Sequence, residues 1–87
     1  MHADFKYNFI RYHILAEALK GAVQLDDFKG DYFTKKEVKN VSTEEVADQL
    51  EHLRSEHFLM KKTDEDYEIT EEGRLEIADV VRAIDQF

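Results

Sequence analysis

The sequence predicts a small α+β domain that is mainly α-helical and carries one β-hairpin. Apolar residues recur at helical spacing in three separate stretches. A further stretch, residues 58–70, has strand-like residues on both sides of a polar turn. The 87 residues include no proline and only three glycines, which favours a few long helices. A chain of this length supports one core, so we expect a single domain over residues 1–87.

The first predicted helix spans residues 4–20 and should lie at the centre of the core. Apolar side chains recur along it at steps of four and three, namely Phe5, Phe9, Tyr12, Ala16 and Leu19. Ile10, Ile14 and Leu15 widen this apolar face. Asp4 is suited to cap the start of the helix, and Gly21 to follow its end. Residues 21–33 then form an irregular loop, whose apolar side chains should pack onto the domain.

Two helices joined by a tight turn are predicted next, over residues 34–40 and 42–57. Thr34 and Glu37 have the spacing of a capping box, and Asn40 suits a helix end. Ser42 or Thr43 should cap the second helix, which buries a stripe made of Val46, Leu50 and Leu53. Two helices joined this closely indicate a helix-turn-helix.

Residues 58–70 predict the hairpin, and residues 71–86 predict the last helix. The stretch "YEITEEG" runs from a strand directly into a helix, so Thr70 should end the strand and cap the helix. Gly73 costs about 1 kcal/mol of helix propensity relative to alanine, which indicates a close approach to a neighbouring element. The expected core contains residues of the first helix together with Val46, Leu50, Leu53, Phe58, Ile69 and Leu75.

This order of elements is that of a winged helix-turn-helix domain. The stretch "VSTEEVADQLEHLRSEHFLMKK" resembles the second and third helices and the first wing strand of that superfamily. "YEITEEGR" resembles the segment where PadR- and MarR-type transcriptional regulators leave the wing and enter their last helix. The resemblance covers residues 9–84 and implies a three-helix core with a wing at 58–70 and a C-terminal helix.

The resemblance implies a transcriptional regulator that binds duplex DNA as a dimer. In such domains the second helix of the helix-turn-helix enters the major groove, and the wing touches phosphate or the minor groove. Lysines would hold phosphates, whereas hydroxyl and amide side chains would read bases. The candidate DNA contacts are Lys35, Lys36, Lys39, Ser42, Thr43, Gln49, His52, Lys61, Lys62 and Arg74.

The charge distribution supports an alternative hypothesis. Net charge is −8, and residues 41–87 carry five basic and fourteen acidic side chains, whereas residues 1–40 are close to neutral. The half that should face DNA would therefore repel it. The alternative is an acidic protein-interaction module, such as a phage- or plasmid-type inhibitor or a DNA mimic, that binds a basic partner. Its candidate contacts are Glu44, Glu45, Asp48, Asp64, Glu65 and Asp66.

The last helix is apolar over a wider arc than one packed stripe requires. Part of this surface is expected to meet a second copy of the chain, as terminal helices do in the families it resembles. The candidate dimer contacts are Ile77, Val80, Val81, Ile84 and Phe87.

Several classes of chemistry are not predicted. Without cysteine there is no disulfide, thiolate metal site or cysteine nucleophile. The four histidines do not form a ligand set, and Asp64, Glu65 and Asp66 lack the spacing of a calcium loop. We find no nucleophile–base pairing and no phosphate-binding loop, so neither an enzyme nor a cofactor is expected. No stretch has the apolar length of a signal peptide or membrane span, so a cytoplasmic protein is expected.

Overall fold

The computed structural model describes residues 2–36 and 40–85, with side chains from residue 5 onward. Its helices are α1 (His2–Ala18), α2 (Thr43–Ser55) and α3 (Glu71–Asp85), and short 3₁₀ helices span Leu25–Phe28 and Thr34–Lys36. The strands β1 (Leu59–Lys61) and β2 (Tyr67–Ile69) form a two-stranded antiparallel sheet. The α+β class, mainly helical with a small hairpin, is therefore confirmed.

Helix α1 is central, and it packs against α2, β2 and most extensively α3. It begins two residues before the predicted start, so Asp4 lies inside the helix and is not its cap. Its most buried side chains are Ile10, Ile14, Leu15 and Ala18. The predicted stripe from Phe5 to Ala16 is only half-buried. Leu19 lies beyond the helix end and is 45% exposed, so its predicted place on the stripe is wrong.

The segment between α1 and α2 packs onto the domain through aromatic rings, as predicted. Phe28 and Phe33 are buried, and His13 of α1 lies 6.0 Å from both the Tyr32 and Phe33 ring centroids. The Tyr32 hydroxyl also donates a 2.8 Å hydrogen bond to Glu17. Residues 37–39 lie outside the described residues, so the predicted helix 34–40 is observed only as the 3₁₀ helix Thr34–Lys36.

Helix α2 has the predicted cap. The Ser42 hydroxyl accepts a 3.1 Å hydrogen bond from the Glu45 amide, and the Glu45 carboxylate accepts one of 2.9 Å from the Ser42 amide. Val46, Leu50 and Leu53 form its buried stripe, as predicted. The helix ends two residues before residue 57, and His57 then adopts a left-handed φ of 68° that interrupts helical geometry.

The hairpin pairs Leu59 with Ile69 and Lys61 with Tyr67. Thr63 orders the connecting turn, since its hydroxyl accepts hydrogen bonds from the amides of Glu65 and Asp66. Val23 adds an antiparallel bridge to Tyr67, with both backbone hydrogen bonds at 2.8 Å. The predicted hairpin is thus present, and the loop after α1 extends its sheet by one residue.

The strand-to-helix junction depends on Thr70 and Gly73. The Thr70 hydroxyl accepts a 3.0 Å hydrogen bond from the Gly73 amide and donates one of 2.6 Å to the carbonyl of His57. A Cβ on Gly73 would overlap the carbonyl oxygen of Phe58 and lie 2.8 Å from Cγ1 of Ile69. The glycine therefore lets the first turn of α3 touch the backbone that leads into β1.

This contact also sets the rotation of α3. Gly73 and Val80 are buried, and Ile77 and Ile84 are half-buried against the core, so these four positions share one face. Leu75 lies two residues after Gly73, about 200° around the helix. It is 68% exposed, so its predicted place in the core is wrong. Among the described residues, no helix is both long enough and apolar enough to span a bilayer.

Candidate interaction surface

The outward side of α2 and the hairpin turn carry a group of acids that we call the acidic face: Glu44, Asp48, Glu51, Asp64 and Glu65. The three α2 members recur at steps of four and three, which places them on one helical stripe. All five are exposed. Glu51 lines the same surface cleft as Asp64 and Glu65, so the stripe continues onto the hairpin turn.

That cleft lies between α2, the first 3₁₀ helix and the hairpin turn, and has a volume of about 300 Å³. Its apolar floor is formed by Leu25, Ala47, Leu50 and Tyr67. Its acids are Asp26, Glu51, Asp64 and Glu65, and Gln24 completes the lining. None of these residues is a lysine or an arginine, but Lys29 pairs with Asp26, and Arg54 and Lys61 pair with Glu51, so the unpaired negative charge of the cleft comes from Asp64 and Glu65.

Glu51 is held in place by several donors. The Tyr67 hydroxyl donates a 2.5 Å hydrogen bond to one carboxylate oxygen, and Arg54 donates at 2.9 and 3.1 Å to the other. The hydrogen bond from Tyr67 and then those from Arg54 lower the pKa of Glu51. Burial, followed by the hydrogen bond to Glu51, raises the pKa of Tyr67 to about 12. Near neutral pH the pair is therefore a carboxylate and a protonated phenol.

Three of the predicted phosphate contacts lie beside acids of their own chain. The ammonium group of Lys35 is 3.6 Å from Asp31, that of Lys61 is 3.8 Å from Glu51, and that of Lys62 is 3.3 Å from Glu68. Lys36 instead lies 4.6 Å from the Tyr32 ring centroid. Lys39 is outside the described residues. The structure therefore offsets much of the positive charge that DNA binding would use.

The remaining predicted DNA contacts lie either at α2 or at the start of α3. Thr43 and His52 are exposed on α2, whereas the Ser42 hydroxyl is used in the helix cap. Arg74 lies in the first turn of α3, in a hollow that it shares with Lys20 and Glu68. Glu68 also pairs with Lys62 at 3.3 Å, so this carboxylate lies near both Lys62 and Arg74.

Gln49 was predicted to face DNA, and this is wrong. It is 4% exposed, because it lies three residues after Val46 and four before Leu53 and so shares their buried side. Its side-chain carbonyl oxygen accepts no hydrogen bond from any residue in the described ranges. Gln49 is therefore a buried polar residue of the core and not a base-reading one.

Replacing Gln49 with methionine is expected to raise the free energy of unfolding by about 1 kcal/mol, because an unsatisfied buried carbonyl is removed while volume is conserved. Gln24→Met is the matched control and should destabilise, because the Gln24 amide donates a 2.6 Å hydrogen bond to Asp66. Urea denaturation followed by circular dichroism measures both changes. A clear loss of stability in Gln49→Met would show that its amide is satisfied.

The predicted dimer contacts divide between the inside and the outside of α3. Val80 is 2% exposed and belongs to the core, so it is not available to a second chain and this part of the prediction is wrong. Ile77 and Ile84 are half-buried against the same core, whereas Val81 is exposed. Phe87 lies outside the described residues. The exposed apolar strip of α3 is instead formed by Leu75, Ala78 and Val81.

The predicted acidic contacts differ in whether their carboxylates already have a partner within the chain. Glu45 forms a 2.9 Å ion pair with Lys6 in addition to its capping role, and Asp66 accepts a hydrogen bond from Gln24. Glu44, Asp48, Asp64 and Glu65 have no side-chain partner within the described part of the chain. Glu51 and Asp26 were missed as site residues. Helical spacing from Glu44 and Asp48 would have identified Glu51, whereas nothing in the sequence places Asp26 beside the hairpin turn.

No cluster of three or more potential metal ligands occurs among the residues that the structure describes. No protein-family model matches the chain, and no curated protein shows significant sequence similarity to it.

Proposed function

We propose that this chain is a winged-helix domain whose acidic face binds a basic surface of another protein. The observation that carries the proposal is the sign of the charge on α2 and the hairpin turn, the elements that a DNA-binding winged helix directs at the duplex. Duplex DNA carries one negative charge per roughly 1.7 Å of its length, so this face repels it. The same charges attract a basic protein surface and accelerate its association.

The pairing of the basic residues supports the same proposal. A lysine that contacts phosphate contributes most to DNA affinity when the charges around it are also positive. Here Lys35, Lys61 and Lys62 each have a carboxylate within 4 Å. A phosphate that approached any of them would also approach that carboxylate. The buried position of Gln49 removes a side chain that could discriminate bases.

A charge-reversal pair of variants tests the proposal. We expect a lysine- and arginine-rich peptide to bind the wild-type chain at about 50 mM salt, where electrostatic attraction is strong. Asp48→Lys/Asp64→Lys/Glu65→Lys should greatly weaken this binding. The control Glu72→Lys/Asp79→Lys/Asp85→Lys makes the same change in net charge on α3, which packs against α1, and should retain most of the binding.

Duplex DNA of random sequence serves as the competing ligand in the same fluorescence titration. No binding to DNA is expected at about 50 mM salt. Equal loss of peptide binding in the two triple variants would show that net charge alone is responsible, and the acidic face would then have no specific role. Tight DNA binding would contradict the proposal directly.

A DNA-binding regulator is the second candidate, and the order of elements favours it. A capped helix after a tight turn, followed by a hairpin, resembles the DNA-binding winged helix. Lys36 and Arg74 have no carboxylate within 4 Å among the described residues. In this case duplex binding should weaken steeply with salt, and replacing Lys35, Lys36 and Lys39 with alanine should lower affinity for all sequences alike.

We also propose that the chain forms a homodimer through the exposed apolar strip of α3. Contiguous exposed apolar surface marks interaction sites in monomeric domains. Leu75→Glu should convert the dimer to a monomer in sedimentation velocity at micromolar concentration. Met60→Glu introduces the same charge at a side chain that is 52% exposed on the hairpin, and should leave the dimer intact. A wild-type chain that sediments as a monomer would contradict this proposal.

A further inference from the structure

The cleft between α2, the first 3₁₀ helix and the hairpin turn combines two features that the acidic face alone does not have. It has an apolar floor, and its walls come from three different parts of the chain. We infer that this cleft binds a segment of the partner in which one large apolar side chain is flanked by lysine or arginine. This inference rests on the function proposed above.

The floor determines the apolar part of this ligand. Leu50 and Tyr67 are buried beneath the cleft, while Leu25 and Ala47 are only partly covered and present apolar atoms at its surface. A volume of about 300 Å³ is large enough to hold one large apolar side chain. An apolar side chain that enters the cleft leaves water and covers Leu25 and Ala47, so its burial favours binding.

The acids around the floor determine the charge of the flanking residues. Asp64 and Glu65 lie on the hairpin turn and have no side-chain partner among the described residues, so they can each accept an incoming cation. Asp26 already pairs with Lys29, and Glu51 pairs with both Arg54 and Lys61, so these two acids contribute less negative charge to the cleft. An acidic or phosphorylated segment would be repelled by the two unpaired carboxylates, because the cations beside the cleft, Lys29, Arg54 and Lys61, are each paired with one of its acids.

The walls of the cleft are joined to one another, so it is largely preformed. Gln24, next to the first 3₁₀ helix, donates a 2.6 Å hydrogen bond to Asp66 on the hairpin turn. The bridge between Val23 and Tyr67 connects the same two segments through the backbone. Glu51 accepts from the Tyr67 hydroxyl and so connects α2 to β2. A preformed site loses less conformational entropy on binding than a flexible one.

The part of the acidic face that lies outside the cleft indicates the direction in which the ligand would extend. Glu44 and Asp48 continue along α2 on the stripe that includes Glu51, beyond the cleft. A segment that places its apolar residue in the cleft can therefore extend along α2 with further basic residues. This arrangement favours an extended basic segment of a protein over a compact small molecule.

Two short peptides with equal charge test the inference, one with a central leucine between lysine pairs and one with a central serine. By fluorescence anisotropy, the leucine peptide should bind the wild-type chain about tenfold more tightly, the ratio expected for burying most of one such side chain. In nuclear magnetic resonance spectra, the amide signals of Leu25, Ala47 and Glu65 should shift more with the leucine peptide.

Ala47→Met fills the cleft while every acid remains. It should remove the preference for leucine and leave the charge-dependent binding of the serine peptide. Ala22→Met makes the same substitution at an exposed position that lies outside both the cleft and the proposed dimer surface, and should change neither affinity. Equal binding of both peptides to the wild-type chain would overturn the cleft inference and leave the proposed function in place. Failure of both peptides to bind at low salt would overturn the proposed function as well.

Discussion

Replacing Leu50 with alanine is expected to lower the free energy of unfolding by about 2–5 kcal/mol. Leu50 is 1% exposed and belongs to the core cluster that α1, α2 and the hairpin share. Truncation removes three side-chain carbons from close packing and leaves a cavity that neighbouring helices cannot fully close. Chemical denaturation followed by circular dichroism at 222 nm measures the loss.

Leu75→Ala is the matched control, because it makes the same chemical change on α3 at a side chain that is 68% exposed. Its effect should stay within about 0.5 kcal/mol. The pair therefore tests the rotation of α3 together with the packing of α2. A large loss of stability in Leu75→Ala, measured on the monomer, would place Leu75 in the core and contradict the rotation described above.

Replacing Gly73 with alanine is expected to destabilise the chain by about 1–3 kcal/mol, the usual range for overpacking. In an ordinary helix this substitution would stabilise by about 1 kcal/mol. The sign reverses here because the added Cβ would overlap the carbonyl oxygen of Phe58, which also accepts a 3.1 Å hydrogen bond from the Thr70 amide. A backbone carbonyl cannot move aside as a side chain can, so the start of α3 must shift.

The control for Gly73 is the reverse substitution at an exposed site of the same helix. Measured on the monomer, Ala78→Gly should cost about 1 kcal/mol, from helix propensity alone. If Gly73→Ala instead raises stability by a similar amount, α3 does not approach β1 as closely as the structure shows. Both variants are measured by the same denaturation experiment.

Elements whose signals lie close together in the sequence were predicted well. The Ser42 hydroxyl caps α2 through the Glu45 amide, three residues away, and the hairpin pairs strands separated by a five-residue turn. Thr70 caps α3 through an amide three residues away. Such interactions form within a short segment, so the residue types and their spacing are sufficient to predict them.

The main errors concern which face of a helix is buried. Gln49, Leu75 and Val80 all lie in correctly predicted helices, but each was assigned to the wrong side. In α3 apolar residues surround most of the helix, so periodicity alone does not select a face. The contact between Gly73 and Phe58 selects it, and that contact joins residues 15 positions apart in the sequence.

Arg11 is a further residue whose role depends on tertiary contacts. It is 7% exposed on α1, and it forms an ion pair with Glu56 after α2 and lies 4.0 Å from Glu76 of α3. Its guanidinium group also lies 5.4 Å from the Tyr7 ring and 5.6 Å from the Phe58 ring. The sequence alone suggests only an ordinary surface arginine, because buried charge requires partners brought from other elements.

The sequence by itself determined the order of the helices and the hairpin, the caps of α2 and α3, and the negative charge of the second half of the chain. These properties depend on composition and on spacings of a few residues. The tertiary structure decided which side of α2 and α3 is buried, and it placed Asp26 and Leu25 beside the hairpin turn to form the cleft. The physical reason is that the walls of this cleft come from segments about 40 residues apart in the sequence. Only packing of the whole core brings such segments together.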